Sequence, residues 1–232
     1  MQYIFTKKYR MAINKETYHS IKAALKEKQV TLVAVSKTKP VEDILELYQL
    51  GQRDFAENYV QELIDKQAVL PGDIQWHFIG HLQSNKVKYI APFIHLIHAV
   101  DSLKLLNEIN KQAAKNSRII HCLLQVHIAQ EESKFGMDET ELEETINTLS
   151  QKSLPHVYVQ GLMGMASFTD DMIKVRNEFK YLSSLFDKYK QTETANCKLQ
   201  TLSMGMSSDY KIAVEEGSNM VRIGSLLFGV RV

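Results

Sequence analysis

The sequence has few of the residues that mark membrane, secreted or disordered chains. Its 232 residues include two cysteines, four prolines and one tryptophan, and the formal net charge is +1. A nearly balanced charge gives no sign of binding to nucleic acid or to an anionic membrane surface. No apolar run reaches the roughly 20 residues of a membrane span, and the start of the chain lacks the apolar core of a signal peptide. We therefore expect a cytoplasmic protein with no membrane association.

The remaining composition is that of a globular domain. Cys122 and Cys197 lie far apart in mostly apolar segments, which favours buried free thiols over a disulfide. Hydrophobic residues make up 44% of the chain and charged residues 24%, enough for a sizeable core. There is no Pro-, Gly- or Ser-rich linker, and the only internal echo is LMGMAS (162–167) with SMGMSS (203–208). We divide the chain into an N-terminal helical segment, 1–30, and one barrel domain, 31–232.

Short apolar runs alternate with amphipathic segments from end to end. The runs have the continuous apolar character of parallel strands that are buried on both faces. We predict eight strands, at 31–37, 54–57, 74–79, 94–100, 119–128, 156–165, 199–204 and 220–228. A helix is predicted before the first strand (16–29) and after each of the first seven, including 41–50 and 170–189. This order predicts a single-domain (β/α)8 TIM barrel, with a doubly wound open sheet as the alternative.

Lys37 is the most informative residue, because it stands where the first buried strand should end. A lysine delivered by a buried strand is costly unless its amine is needed. In an α/β barrel the chemistry lies at the C-terminal ends of the strands, and phosphate sites often follow strands seven and eight. Lys37 is therefore a candidate for a working amine at the barrel mouth.

A glycine and serine step accompanies each of the last two predicted strands. Strand seven runs into SMGMSSD (203–209), which contains Ser207 and Ser208, and strand eight contains Gly224 and Ser225. Glycine lets a backbone approach a ligand closely, and serine hydroxyls and N–H groups at a helix start favour an anion. Together they predict a phosphate-binding cup across the barrel mouth from the strand-one lysine.

Each feature also has a purely structural alternative. Either serine of the SMGMSSD loop could be a helix N-cap, with Asp209 in the first turn. Arg222 lies inside an otherwise apolar strand, where a guanidinium is costly unless it is paired, and a core carboxylate such as Glu57 could pair with it.

Four histidines fall in two pairs, in or next to predicted strands. His77 and His81 are four apart, as zinc ligands on a helix are, but their segment has the pattern of a strand and no third ligand is evident. We therefore predict no metal site. His95 and His98 lie on an apolar strand, which favours core histidines.

A lysine opposite a phosphate cup suits two chemistries. One is a sugar-phosphate aldolase with Lys37 as Schiff-base nucleophile, and the other is pyridoxal 5′-phosphate (PLP) held as an aldimine. Arg222 favours a PLP site that activates the cofactor weakly. An arginine can only donate, so it would hold the pyridine nitrogen unprotonated and weaken the electron sink.

Seven sequence blocks, in order, resemble the pyridoxal phosphate homeostasis proteins over about residues 31 to 229. The blocks are VAVSKTKP (33–40), GQRDFAENYVQE (51–62), QWHFIGHLQSNK (75–86), EESKFGM (131–137), GLMGMA (161–166), LSMGMSSDY (202–210) and VRIGSLLFG (221–229). The resemblance implies a barrel of the alanine-racemase N-terminal type. It further implies a set of cofactor-binding residues: Lys37 as the Schiff-base lysine, Ser207, Ser208, Gly224 and Ser225 at the phosphate, Arg222 at the pyridine nitrogen and Asn58 near the cofactor.

The function that the resemblance implies is PLP binding without catalytic turnover. Members of the family are regarded as carriers or regulators of intracellular PLP (vitamin B6) and of amino-acid pools. We expect a monomer whose partners are PLP and PLP-dependent apo-enzymes. The enzyme alternative is a racemase, which needs an acid or base on each face of the substrate carbon. Related racemases take one from a second, all-β domain, and only three residues follow Gly229 here, so we expect negligible racemase activity.

Overall fold

The computed structural model describes residues 13–129, 135–151 and 154–229, and its framework is a closed parallel barrel. The barrel strands are β1 (Thr31–Val35), β2 (Asp54–Glu57), β3 (Gln75–Phe78), β4 (Leu96–Val100), β5 (Ile120–Gln125), β6 (Val157–Met163), β8 (Cys197–Ser203) and β9 (Met220–Ile223). A short β7 (Glu193–Thr194) pairs antiparallel with β8, outside the ring. Strand β9 pairs in parallel with β1 and closes the ring, with Thr31 opposite Met220. The predicted (β/α)8 barrel is thereby confirmed, and the open sheet is excluded.

Helices cover the outside of the barrel. They are α1 (Lys15–Glu27), α2 (Val41–Gln49), α3 (Val60–Gln67), α4 (Val87–Ile90), α5 (Leu103–Lys115), α6 (Glu139–Gln151), α7 (Met172–Tyr189), α8 (Tyr210–Glu215) and α9 (Ser225–Phe228), with a 3₁₀ turn (Ser84–Lys86) before α4. The first helix starts at the N-cap Asn14, whose side chain accepts from the Thr17 N–H at 2.9 Å. Its buried side, which includes Tyr18 and Leu25, joins the main hydrophobic core. Within the described ranges, none of the helices combines the length and the apolar character needed to cross a bilayer.

Strand alternation divides the core into two parts. Along β1, Leu32 and Ala34 pack outward against the helices, while Val33 belongs to a separate cluster that fills the inside of the barrel. The same period of two makes Val221 and Ile223 of β9 face outward and turns Arg222 inward. Polar side chains on the inward-facing parity therefore meet in the barrel interior.

The ends predicted for the last and the first strand are wrong. The last strand ends at Ile223, not at residue 228, because Gly224 leaves the extended conformation (φ −119°, ψ −74°) and Ser225 begins α9. A short apolar run cannot by itself distinguish a strand from a buried helix turn. The first strand ends at Val35, so Lys37 lies in the turn after it. The short strand β7 was not predicted. Residues 1–12 of the predicted N-terminal segment, the first four residues of EESKFGM and residues 230–232 lie outside the described ranges.

Candidate functional site

A pocket of about 610 Å³ opens at the C-terminal ends of the barrel strands. Its volume falls within the range of small-molecule sites. All the residues that the sequence suggested for cofactor binding line it: Lys37, Asn58, Ser207, Ser208, Arg222, Gly224 and Ser225. They come from four segments that are distant in sequence, and the closed parallel barrel brings them together because it gathers the strand ends on one face.

Hydrogen bonds hold the turn that presents Lys37, at the residue before it and at the residue after it. Before it, buried Ser36 accepts a hydrogen bond at its carbonyl from Lys66 Nζ at 2.8 Å. After it, the Thr38 N–H donates to Glu62 Oε1 at 2.6 Å, and Thr38 itself has a φ of +64°. A non-glycine residue at positive φ is held by its surroundings. The half-buried Lys37 side chain therefore starts from a fixed backbone.

Glu57, at the end of β2, joins Lys66 and Ser36 in the same hydrogen-bond network. Its Oε1 accepts from Lys66 Nζ at 2.8 Å and from the Ser36 hydroxyl at 2.6 Å. Burial raises the pKa of Glu57 to about 7, outweighing the Lys66 ammonium and the two hydrogen bonds, which lower it. Glu57 thus pairs with Lys66, and the alternative in which it pairs with Arg222 is wrong.

Arg222 is held inside the barrel by carbonyl and hydroxyl oxygens. Its Nη1 donates to Ser203 O at 2.9 Å and to Ser203 Oγ at 2.6 Å, and its Nη2 donates to Gly164 O at 3.0 Å. Burial lowers the pKa of Arg222 to about 10, and the Asp209 carboxylate opposes that shift. A guanidinium remains cationic at neutral pH with such a pKa, so the floor of the pocket carries a fixed hydrogen-bond donor.

The serine loop after β8 is joined to the start of α9. The Gly224 N–H donates to Ser207 Oγ at 3.2 Å. Ser208 Oγ donates to Asp209 Oδ2 at 3.4 Å, while Asp209 Oδ1 accepts from the Met206 N–H at 2.6 Å. The N-cap position of α8 is occupied by Asp209, so the structure does not support the interpretation of either serine as that helix's N-cap.

Asn58 carries an unpaired polar atom into this region. Its Oδ1 is buried and, over the described residues, has no hydrogen-bond partner. A Cβ at Gly80 would lie 2.2 Å from the Asn58 carbonyl oxygen, so glycine is required there for the two backbones to approach. Because buried polar atoms are rarely left unpaired, Asn58 Oδ1 marks a place for a ligand or water.

Sequence reasoning missed the apolar wall of the pocket, to which Val35, Ile79, Met165, Phe168 and Met206 contribute. The echo of LMGMAS in SMGMSS could have revealed part of it. Met165 and Met206 occupy equivalent positions in the two segments and line the same pocket. The preceding glycines are also equivalent, because Gly164 O accepts from Arg222 Nη2 and Gly205 O accepts from the Arg222 N–H.

Two of the histidines pair with each other inside the barrel. His98 is fully buried, as predicted for a core histidine, whereas His95 is exposed and that prediction is wrong. His77 and His98 are hydrogen-bonded to each other at 2.8 Å. Across the described part of the chain, no group of three or more histidine, cysteine, aspartate or glutamate side chains is arranged to hold a metal ion.

Comparison with known proteins gives consistent relatives over almost the whole chain. The family model described as "Alanine racemase, N-terminal domain" matches residues 14–232. The chain is 39% identical over 225 residues to the pyridoxal phosphate homeostasis protein of Pasteurella multocida, covering 94% of each chain. PipY of Synechococcus elongatus, solved with PLP bound, is 37% identical with a TM-score of 0.82, covering 92% of this chain and 99% of that one. An alanine racemase of Clostridium difficile shares the fold alone, with a TM-score of 0.71 at 17% identity over 95% of this chain and 58% of that one.

Proposed function

This chain belongs to the alanine racemase N-terminal domain family and, within it, to the pyridoxal phosphate homeostasis proteins, and on that premise we propose that it binds PLP in the pocket at the barrel mouth. The observation that carries the proposal is that one pocket gathers a lysine, a buried arginine and two glycine–serine steps. PipY, which has been solved with PLP bound, is a relative at 37% identity.

We assign a role in PLP binding to each part of the pocket. Ser207, Ser208, Gly224 and Ser225 would hold the phosphate, and Ser225 opens α9, where first-turn N–H groups lack partners within the helix. Lys37 Nζ would attack the aldehyde carbon of PLP, and water would leave as the C=N bond of the Schiff base forms. Bound PLP supplies an electron sink for amino-acid chemistry.

Arg222 supports retention of PLP without catalytic turnover. We propose that it faces the pyridine nitrogen, where a guanidinium can donate a hydrogen bond but has no proton to give up at neutral pH. An unprotonated ring withdraws electrons weakly. The protein would accordingly act in PLP and amino-acid homeostasis as a carrier or regulator that supplies PLP-dependent apo-enzymes.

The proposed compartment is the cytoplasm, and the proposed state is a monomer. Cys122 and Cys197 are both buried and unbridged, as in proteins from reducing compartments.

The test is to purify the protein, add PLP, reduce with borohydride and locate the adduct by peptide mass spectrometry. We expect a yellow protein with one reduced adduct, on Lys37, and Lys37→Ala should lose both the aldimine absorption and the adduct. A wild type that stays colourless after incubation with PLP would contradict PLP binding.

Lys39 offers a matched control because it lines the same pocket. Its Nζ donates to the carbonyls of Phe228 at 2.8 Å and Gly229 at 3.2 Å, so its amine is committed to the backbone. Lys39→Ala should keep the adduct on Lys37. A reduced adduct found on Lys39 of the wild type would refute the assignment of Lys37.

The racemase alternative is tested with the same sample. If the protein retains PLP without turnover, L- and D-alanine should not interconvert at enzyme-like rates in the presence of bound PLP. Interconversion at such rates would replace the homeostasis proposal by an enzymatic one.

A further inference from the structure

A chain of hydrogen bonds crosses the barrel interior from Arg222 to the start of β2. Arg222 Nη1 donates to Ser203 Oγ at 2.6 Å, and Ser203 Oγ lies 3.2 Å from His98 Nδ1. His98 Nε2 lies 2.8 Å from His77 Nδ1, and His77 Nε2 lies 3.1 Å from Asp54 Oδ1. These residues come from β9, β8, β4, β3 and β2, and the strand parity turns all of them toward the barrel interior.

The chemistry of the two ends is consistent with one direction of hydrogen bonding. Arg222 can only donate, so the Ser203 oxygen accepts from it, and the single Ser203 hydrogen can be donated to His98 Nδ1. The Asp54 carboxylate accepts from His77 Nε2, so a neutral His77 has no hydrogen on Nδ1, which then accepts from His98 Nε2. With neutral rings the two assignments agree on one state, in which each ring is protonated on Nε2.

Burial supports the neutral state of the central ring. His98 is fully buried, and desolvation lowers its pKa well below the usual 6.5, with further lowering from His77, Arg222 and His95. A cationic His98 would also carry a hydrogen on Nδ1, so the Ser203 hydroxyl could no longer donate to that nitrogen.

We propose that Ser203, His98, His77 and Asp54 are positioning residues that fix the orientation of the Arg222 guanidinium for the pyridine nitrogen of PLP. This inference rests on the proposed function, because it gives Arg222 a ring to face. Asp209 is the carboxylate whose charge acts on Arg222, so the role of the hydrogen-bond chain is to fix geometry. Asp54 is the end that solvent reaches, since its side chain is 25% exposed.

The first experiment needs no cofactor. In ¹⁵N NMR spectra of the PLP-free protein, we expect His77 and His98 to be neutral and protonated on Nε2 near pH 7. Asp54→Asn and His98→Gln should each make exchange of the Arg222 guanidinium N–H protons severalfold faster. His98 protonated on Nδ1, or either ring cationic at that pH, would overturn the proposed direction.

The second experiment uses the PLP-loaded protein and its visible absorption. Asp54→Asn and His98→Gln should shift the cofactor band and speed the loss of PLP severalfold, with the lysine adduct still forming. His95→Gln is the matched control and should behave as wild type. The ring of His95 lies 5.4 Å from that of His77, but His95 is not part of the chain of hydrogen bonds. If His98→Gln fails to fold, the isosteric and partly exposed Asp54→Asn still decides the question.

The two experiments separate the failure of this inference from the failure of the proposed function. A wild type that does not bind PLP refutes the function while the NMR arm still reports on the chain. If Asp54→Asn and His98→Gln bind PLP with the absorption band and release rate of the wild type, the positioning role is wrong.

Discussion

Glu57 is expected to make the stability of the protein fall as the pH rises from 5 to 8. Burial raises the pKa of this carboxyl from 4.5 to about 7 in the folded protein. The folded state then binds the proton more tightly than the unfolded state does. The stabilising contribution is therefore complete below pH 4.5 and is lost as the pH rises through about 7.

The size of the effect follows from the shift. A difference of about 2.5 pKa units corresponds to roughly 3 kcal/mol at about 1.4 kcal/mol per unit. Because His98 is buried and its pKa is lowered, it works in the opposite direction below pH 6.5. The wild-type profile alone therefore does not isolate Glu57.

The assay is urea unfolding of wild type and Glu57→Gln at pH 5, 6, 7 and 8. Glutamine keeps the shape of the side chain and an acceptor for Lys66 and Ser36 but does not titrate. As the pH rises from 5 to 8, the variant should gain stability relative to wild type by about 2.5 kcal/mol, since the rest of the effect falls below pH 5. Parallel profiles would refute the reasoning, because they would mean that Lys66 keeps Glu57 ionised throughout.

Glu215→Gln provides a control of opposite sign. Its exposed carboxylate accepts from Arg176 Nη2 at 2.6 Å, and that hydrogen bond lowers the pKa of Glu215. Its contribution is present above the usual pKa and is lost as the pH falls, so this variant should match the wild-type slope between pH 6 and 8.

Three further predictions concern the rest of the fold. Gly205→Ala should destabilise the protein by roughly 1–3 kcal/mol through backbone strain and should weaken PLP binding. The reason is that Gly205 has a φ of +95° and a new Cβ would lie 2.5 Å from Ala213 Cβ. Urea unfolding at wild-type stability would contradict this. Asp171→Ala should cost about 1 kcal/mol, because the side chain caps two N–H groups at the start of α7; an unchanged urea midpoint would count against the cap. Burial raises the pKa of Cys197 to about 11 and also raises that of Cys122. Neither thiol should therefore react with a disulfide reagent at pH 8 until urea unfolds the protein. Rapid labelling of the native protein would argue against burial.

The barrel and the candidate site residues could be predicted from sequence alone, for a local reason. Buried parallel strands leave continuous apolar runs, and an amine such as that of Lys37, or a guanidinium such as that of Arg222, stands out among them. The resemblance to a known family added the expected role of each residue. Strand ends were placed less well, because the apolar run after Arg222 suits a helix turn as well as a strand.

The partners of the polar groups could not be predicted without the folded structure. The pairing of Glu57 with Lys66, and the path from Arg222 to Asp54, depend on which strands are neighbours and which face each side chain takes. Those relations join residues far apart in the chain, and no spacing in the sequence encodes them. A buried charge in a sequence shows that a partner is needed, and the folded barrel determines which partner it is.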